Sequence, residues 1–553
     1  MPGFETLLTR EETERYSKSG HWAGRILTDY LDATAEATPG KIAIIDSRRS
    51  ITYRELRALV DRYAHGLLAL GIQPGDVISI QLPNWIEFAV AYLAATRIGV
   101  VSCLITPIHR DREVACMMNL AEVRLALVPA AFRGYDYAAM MCRLRSEVHS
   151  LQHVMVVGGA ADGMLDWDSF TARAWEAGSN SADLAGLRPD PNAVTEIVFT
   201  SGATAEPKGV LHTNNTLGAV QAAIGKSLRL NPDSVLHMAS TIGHQTGFLG
   251  GVQLPIQWGV TVVYQDVWNP EQFIELIERY RIQATNGNTT FLLDMLRARN
   301  LLRHDLSSFK TFRAGGSPIP KALILEALEK LPHMTILRSW GQSESGVVTM
   351  TRYGDSRDKL IETDGCAQPG MAVRVVDCAN QPVAFGAEGR LQSRGPFQFV
   401  GYLQQTELTR RSYVDGWFDT GDFAVMDGDG YIRITGRAKD VIMRGGEKVP
   451  VKYVEDVLYE NDRIQDVALV AMSDARLGER ACAFVMCRPG CTLSMQEMQH
   501  FLEQKGVARQ YWPERIEVCA ELPRAPNGKI RKAKLRERIA AAVEREQVPE
   551  TAG

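Results

Sequence analysis

Glu196-Ile-Val-Phe-Thr-Ser-Gly-Ala-Thr-Ala-Glu-Pro-Lys-Gly-Val210 is the stretch from which the fold is read. An apolar strand runs up to Thr200 and gives way to Ser201, Gly202, Thr204, Lys208 and Gly209. Small hydroxyl residues and glycines let backbone N–H groups close around phosphate oxygens, and a lysine adds charge. The loop is not of the Walker A type, because Pro207 precedes Lys208 and neither Ser nor Thr follows it. A polar strand-to-helix loop with no ligand has the same look, and these residues alone leave both readings open.

Outward from this loop the chain alternates. Tyr53 to Leu70 places apolar residues three and four apart and then meets Gly71, the pattern of a helix and its C-terminal stop. A short strand follows from Asp76, and Trp85 to Ile98 is helical again; a similar rhythm resumes from Val194 to about Leu337. Strands alternating with helices predict an α/β fold with parallel sheets covered on both faces. From Gly370 short β-rich runs, Val373 to Asp377 and Gly389 to Gly395, are separated by Gly, Pro and Asp, which predicts a small β-barrel or an antiparallel sheet. After Gly436 the order becomes strand, helix (Val451 to Glu460), two strands (Ile464 to Ala471, Ala481 to Cys487) and helix (Ser494 to Lys505). That α+β segment is long enough to fold alone. The expected division is a large unit over 1–438 and a smaller one over 439–553.

The 553 residues allow three or four compact units at roughly 150 residues each. With 45% apolar and 23% charged residues, the chain is neither disordered nor collagen-like. Lys and Arg number 61 against 65 Asp and Glu, so no global positive field draws in nucleic acid or an anionic membrane. An anionic ligand must be held by a local site. The nine cysteines are scattered, with no C-x-x-C and no nearby His pair, which reads as reduced thiols and no zinc site. The acidic start lacks the basic and apolar regions of a signal peptide, and no run of about eighteen apolar residues occurs. A soluble, cytoplasmic protein is expected.

Six further segments fall in an order that resembles the adenylate-forming superfamily of acyl- and aryl-CoA synthetases, luciferases and nonribosomal peptide adenylation domains. They are Thr241-Ile-Gly-His244-Gln-Thr-Gly247; Ala314-Gly315-Gly316-Ser317-Pro-Ile-Pro320; Trp340-Gly341-Gln342-Ser343-Glu344; Gly416-Trp-Phe-Asp-Thr-Gly-Asp422; Gly436-Arg437-Ala-Lys439-Asp440 with Arg444-Gly445-Gly446-Glu447; and Pro523-Arg-Ala-Pro-Asn-Gly528-Lys529. The likeness covers nearly the whole chain.

The resemblance implies a division of roles. Thr200, Ser201, Gly202, Thr204 and Lys208 hold ATP phosphates. Gly315, Gly316 and Ser317 line the adenine pocket, Trp340 stacks on adenine beside Gly341, Gln342 and Ser343, and Asp422 and Arg437 hold ribose. Glu344 is a hard oxygen ligand suited to Mg²⁺. His244 walls the acyl pocket and gates the channel by which the thiol of CoA arrives. Lys529 neutralises the reacting carboxylate and α-phosphate. Lys439 is the hinge of a mobile C-terminal domain, whose Gly445 and Gly446 allow close approach of pantetheine. The implied chemistry is a carboxylic acid and ATP giving acyl-AMP, then CoA giving the thioester.

One departure bears on the first step. The family loop reads Thr-Ser-Gly-[Thr/Ser]-Thr-Gly-x-Pro-Lys-Gly, but here positions 203 and 205 are Ala. A hydroxyl lost at Ala203 removes a charge-assisted hydrogen bond of about 1.5–3 kcal/mol. If position 205 takes positive φ, Ala205 adds roughly 1–2 kcal/mol of strain. Both changes touch the β- and γ-phosphates, which an acyl-adenylate lacks. Weak or absent adenylation with intact thioester formation is therefore expected, perhaps with acyl-AMP supplied by a separate adenylating enzyme; the alternative is a complete two-step ligase.

Among rivals, an amino-acid adenylating domain would carry a carboxylate near residue 239, and Met238-Ala-Ser-Thr-Ile-Gly-His244 has none. Luciferase-type oxidation is neither supported nor excluded, and a non-catalytic relative ranks low because Lys529, Asp422, Glu344 and Arg437 are all present. Within the CoA ligases the segments around Gly243, Arg444 and Ser473 look most like those for short- and medium-chain fatty or alicyclic acids.

Overall fold

The structure, a computed structural model, describes residues 4–159, 163–177, 183–200, 207–316, 319–437, 440, 442–444, 447–474, 477–507, 509–525 and 528–547. Ser201, Gly202, Thr204 and the Ala203/Ala205 pair lie outside the described residues, as do Ser317, Lys439, Gly445 and Gly446.

Two large sheets form the body. One has nine strands in the order Cys366–Ala367, Gly346–Met350, Thr335–Gln342, Thr311–Ala314, Ala284–Gly287, Val235–Met238, Thr261–Tyr264, Ile42–Ile45, Ser50–Thr52. Its centre is parallel and both edges are antiparallel. The other has eight strands in the order Gly401–Tyr402, Lys208–Thr213, Val194–Thr200, Val101–Leu104, Val77–Ile80, Val123–Pro129, His153–Val157, Leu165–Asp166. The helix that follows the Thr52 cap, Tyr53–Ala69, starts in a capping box with Glu55, a device worth about 1 kcal/mol.

Alternation within Val194–Thr200 shows how the sheets are covered. Ile197 and Phe199 pack into an outer apolar cluster, while Val198 joins the cluster shared between the two sheets. Phe312 and Ala314 do the same on the other sheet, facing the helices Pro270–Tyr280, Thr289–Arg297 and Lys321–Lys330. Burial on both faces is what the near-continuous apolar strands require.

Two expectations are corrected. The segment after the phosphate loop is a strand, Lys208–Thr213, antiparallel to Val194–Thr200 with Thr200 opposite Lys208. The segments on either side of residues 201–206 are therefore two paired strands, and the helix begins only at Asn214, after the Thr213 cap. The β-rich region after Gly370 is an open sheet of five strands. Among the described residues the strand Ala372–Val376 pairs only with Glu388–Arg394, apart from an isolated bridge to Pro382, so the sheet keeps an edge that a barrel would have closed.

The last unit is α+β, as expected. Its sheet comprises Ile442–Arg444, Glu447–Val449, Ile464–Asp474, Gly478–Cys487 and Arg515–Val518. Val467 and Leu469 face a cluster with the helices Val451–Leu458 and Met495–Gln504; Ala468 and Val470 face Leu535 and Ile539 of the helix Lys532–Gln547. No helix among the described residues is long and apolar enough to cross a membrane.

Candidate active site

The strand ends and turns that carry the segments singled out above converge on one cleft. A cavity there is lined by Ser240, Thr241, His244, Thr246, Asn288, Gly315 and Gly316. Gly315 is required by close packing, since a Cβ would meet Ser339 Oγ at 2.7 Å, and Gly316 has φ +82°. Gly341 is equally constrained: a Cβ there would lie 1.8 Å from the Gly346 carbonyl oxygen.

Asp422 is buried and gripped from two sides. The Trp340 indole Nε1–H donates to Oδ2 at 2.9 Å, and Arg437 Nε–H donates to Oδ1 at 2.7 Å. Each oxygen keeps lone-pair capacity for a further donor. The Arg437 side chain is about half exposed, so the pair orients the carboxylate more than it stabilises the fold.

Glu344 is held by a residue the sequence did not single out. Tyr402 O–H donates to Glu344 Oε1 at 2.9 Å, and the Lys208 ammonium stands over the same tyrosine ring at 5.2 Å from its centroid. The phosphate-loop lysine and the carboxylate thus share one platform. Oε2 has no hydrogen-bond partner among the described residues, which fits a hard divalent cation; bound there, Mg²⁺ would offset phosphate charge.

His212 is the second residue missed. Its ring lies buried opposite Glu196 on the hairpin, with Nε2 at 2.7 Å from the Ser343 carbonyl oxygen and Nδ1 at 3.1 Å from Thr216 Oγ1. Burial lowers its pKa to about 4, so the neutral ring donates from Nε2 and fixes the turn that presents Glu344. Nothing in a lone His within an apolar strand announces that contact.

Lys529 reaches this cleft from the C-terminal unit. A Cβ on Gly316 would lie 3.9 Å from its Cε, and a Cβ on Gly528 would meet Asn288 Nδ2 at 2.1 Å. Burial, followed by the nearby Arg437 charge, lowers the Lys529 pKa to about 8, against the opposing pull of Asp422 and Glu344. His244 caps the short helix Gln245–Phe248, its Nδ1 accepting from the Thr246 N–H at 3.3 Å. Burial, then the charge of Lys529, lowers its pKa to about 4.

Among the site residues within the described chain, His244, Gly315 and Gly316 line this cavity and Lys529 reaches it; Trp340, Asp422 and Arg437 form one hydrogen-bonded group, Glu344 and Lys208 share Tyr402, and Thr200, Gly341, Gln342 and Ser343 lie on the adjoining strands and turn. Thr200 closes the strand facing Lys208, and the Gln342 amide nitrogen is buried with no hydrogen-bond partner.

Comparison with known proteins accords with this geometry. The model of the AMP-binding enzyme family matches residues 31–403, and that of the AMP-binding enzyme C-terminal domain matches 453–529. The chain belongs to the AMP-binding enzyme family, and within it to the acyl-CoA ligase group of adenylate-forming enzymes. It is 36% identical to the medium-chain fatty-acid–CoA ligase of Escherichia coli (strain K12), over 96% of this chain and 94% of that one. It is 30% identical to the vibriobactin-specific 2,3-dihydroxybenzoate-AMP ligase of Vibrio cholerae, over 95% and 96%. The fold matches the crystal structure of the anthranilate CoA ligase AuaEII in complex with anthranoyl-AMP with a TM-score of 0.86 at 21% identity, covering 94% and 98% of the two chains.

Proposed function

We propose that this protein joins a carboxylic acid to CoA in two steps through an acyl-adenylate, with the first step slowed at its altered phosphate loop. The observation that carries the reading is the position of Lys529, over Gly316 and within the field of Asp422 and Glu344. In step one a carboxylate oxygen attacks the α-phosphorus of ATP and pyrophosphate leaves. The Lys529 cation offsets the charge gathering on the two anions. Asp422 and Arg437 would hold ribose, and Glu344, steadied by Tyr402, would hold Mg²⁺, whose charge would offset that of the phosphates.

In step two the CoA thiol gives up its proton to water, its sulfur bonds to the acyl carbon, the acyl C–O bond to phosphate breaks and AMP leaves. With its pKa near 4, His244 is a poor proton acceptor at neutral pH, so its part is to orient and gate the thiol. Withdrawal of Lys529, by rotation of a C-terminal unit over 439–553 about Lys439, lifts the second cause of that depression and presents Gly445 and Gly446 to pantetheine. The medium-chain fatty-acid and dihydroxybenzoate relatives support an aliphatic or aryl acid as substrate. The cytoplasm, where ATP and CoA are both abundant, is the fitting compartment.

A second reading, thioester formation only from acyl-AMP made by another enzyme, is favoured by Ala203 and Ala205. The docked lysine serves adenylation and favours the complete reaction. Restoring both positions, Ala203→Thr with Ala205→Gly, separates the parts of the claim. Pyrophosphate release from acid and ATP is expected to rise at least tenfold, from one recovered charge-assisted hydrogen bond of about 1.5–3 kcal/mol. No gain in pyrophosphate release would overturn the slowed first step.

A further inference from the structure

Two arginines stand on neighbouring paired strands in different circumstances. Arg338 is buried and paired with Asp364 at 2.6 Å. Arg313 is 3% exposed and, among the described residues, forms no ion pair and makes one long contact, Nη1–H to Ser339 Oγ at 3.4 Å. A buried guanidinium without a counter-ion is costly, and arginine is almost never buried unless paired.

Its placement says what the charge is for. Phe312 and Ala314 point to the outer helices, so Arg313 points to the other face of the strand Thr311–Ala314, beside Asn286 across the ladder. Asn286 donates from Nδ2 to the Thr246 carbonyl at 3.2 Å, and its Oδ1 is buried with no partner. Thr246 lines the cavity together with Gly315, whose backbone lies against Ser339. Arg313 thus touches Ser339, the residue packed against Gly315 of the cavity wall, and its Cα lies roughly 7 Å from that of Gly315 by strand rise.

We infer that Arg313 is a specificity-determining residue that binds a second carboxylate on the acid substrate, making the preferred substrate a dicarboxylic acid and not a plain fatty acid. This rests on the ligase reading above. A carboxylate from the substrate forms the bidentate pair that the chain withholds; the second Asn286 Nδ2–H can donate beside it, while the Ser339 hydroxyl already donates to the Ala314 carbonyl at 3.1 Å.

The test compares α,ω-dicarboxylates, from succinate through adipate to sebacate, with monocarboxylates of equal chain length. Wild type, Arg313→Met and Arg313→Lys are each assayed for thioester kcat/KM and for thermal shift. The expected result is a preference of at least tenfold for one dicarboxylate in wild type, the scale of one charge-assisted pair. Arg313→Met reverses that preference and melts higher without ligand, because an uncompensated charge has been removed; Arg313→Lys keeps the preference in weaker form. A wild-type preference for monocarboxylates that Arg313→Met leaves unchanged overturns the inference. So does a variant that merely melts lower with the same selectivity. If dicarboxylates raise the melting temperature of wild type but not of Arg313→Met while no acid yields thioester, the binding inference stands and the ligase reading falls.

Discussion

At the nucleotide end of the cleft the chain supplies partners for its own charges: Asp422 is held by Trp340 and Arg437, and Glu344 by Tyr402. At the acid end it does not. Arg313 is buried without a carboxylate partner among the described residues, whereas Glu196, fully buried beside Gln245, pairs across the hairpin with His212 on the nucleotide side. Burial pushes the Glu196 carboxyl well above the usual carboxylate range, so it stands neutral. The difference teaches which part of the substrate is constant. ATP brings the same ribose and phosphates each turn, and groups that meet it are oriented in advance. The acid end leaves a charge to be completed by what binds.

The sharpest way to break this comparison is to remove the cation that reaches the cavity over Gly316. Lys529→Ala should lower pyrophosphate formation from acid and ATP by about 10²–10³, the usual cost of losing one preorganised electrostatic group. Thioester formation from supplied acyl-adenylate should change by no more than about twofold, since the lysine contributes to the first transition state only. Equal losses in both would place Lys529 in general binding.

Gly528→Ala comes next. Its φ of +78° and the 2.1 Å approach to Asn288 Nδ2 both resist a side chain. A loss of about tenfold or more in the first step is expected from roughly 1–2 kcal/mol of strain plus the clash. Asn288→Gly in the same chain should recover the part due to the clash, read in the same pyrophosphate assay.

Tyr402→Phe tests the nucleotide end by itself. Losing a hydrogen bond to a charged group, about 1.5–3 kcal/mol at most, should raise KM for Mg-ATP about tenfold and leave acid selectivity untouched. A shift in acid selectivity would mean that the two ends are not independent.

The smallest effect is in pH. Lys529 has its pKa lowered from 10.5 to about 8. Between those values the unfolded chain binds more protons, so this group's contribution to stability is present above 10.5 and is lost as pH falls through about 8. Activity runs the other way: first-step kcat/KM should decline above about pH 8 as the cation is lost. The second step should show no His244 titration near neutrality, its pKa being about 4.

How much of this was legible in the sequence follows the same division. Gly315-Gly316, Trp340 to Glu344, Asp422 and Gly528-Lys529 are contiguous segments, and their likeness to the family's motifs is what marked them as candidates for phosphate, ribose and cation roles. The α/β body and the α+β end were also readable from periodicity. Tyr402 was not, because it reaches Glu344 across 58 residues of sequence. His212 and Arg313 sit in strands where an alternating polar residue normally faces water. Only the topology, which buries both faces of each sheet, reveals that they do not. The hairpin at Lys208 was hidden for a related reason: five buried residues after Lys208 look alike whether they continue a strand or enter a helix.

The most direct measurement supplies the two half-reactions separately to the purified protein. One arm holds synthetic acyl-adenylates and CoA without ATP; the other holds the free acids, ATP, Mg²⁺ and CoA. Thioester is followed by mass spectrometry across fatty, alicyclic, aryl and dicarboxylic acids. The account predicts product by both routes, with the free-acid route the slower. Product from neither route, across the whole panel, would contradict it.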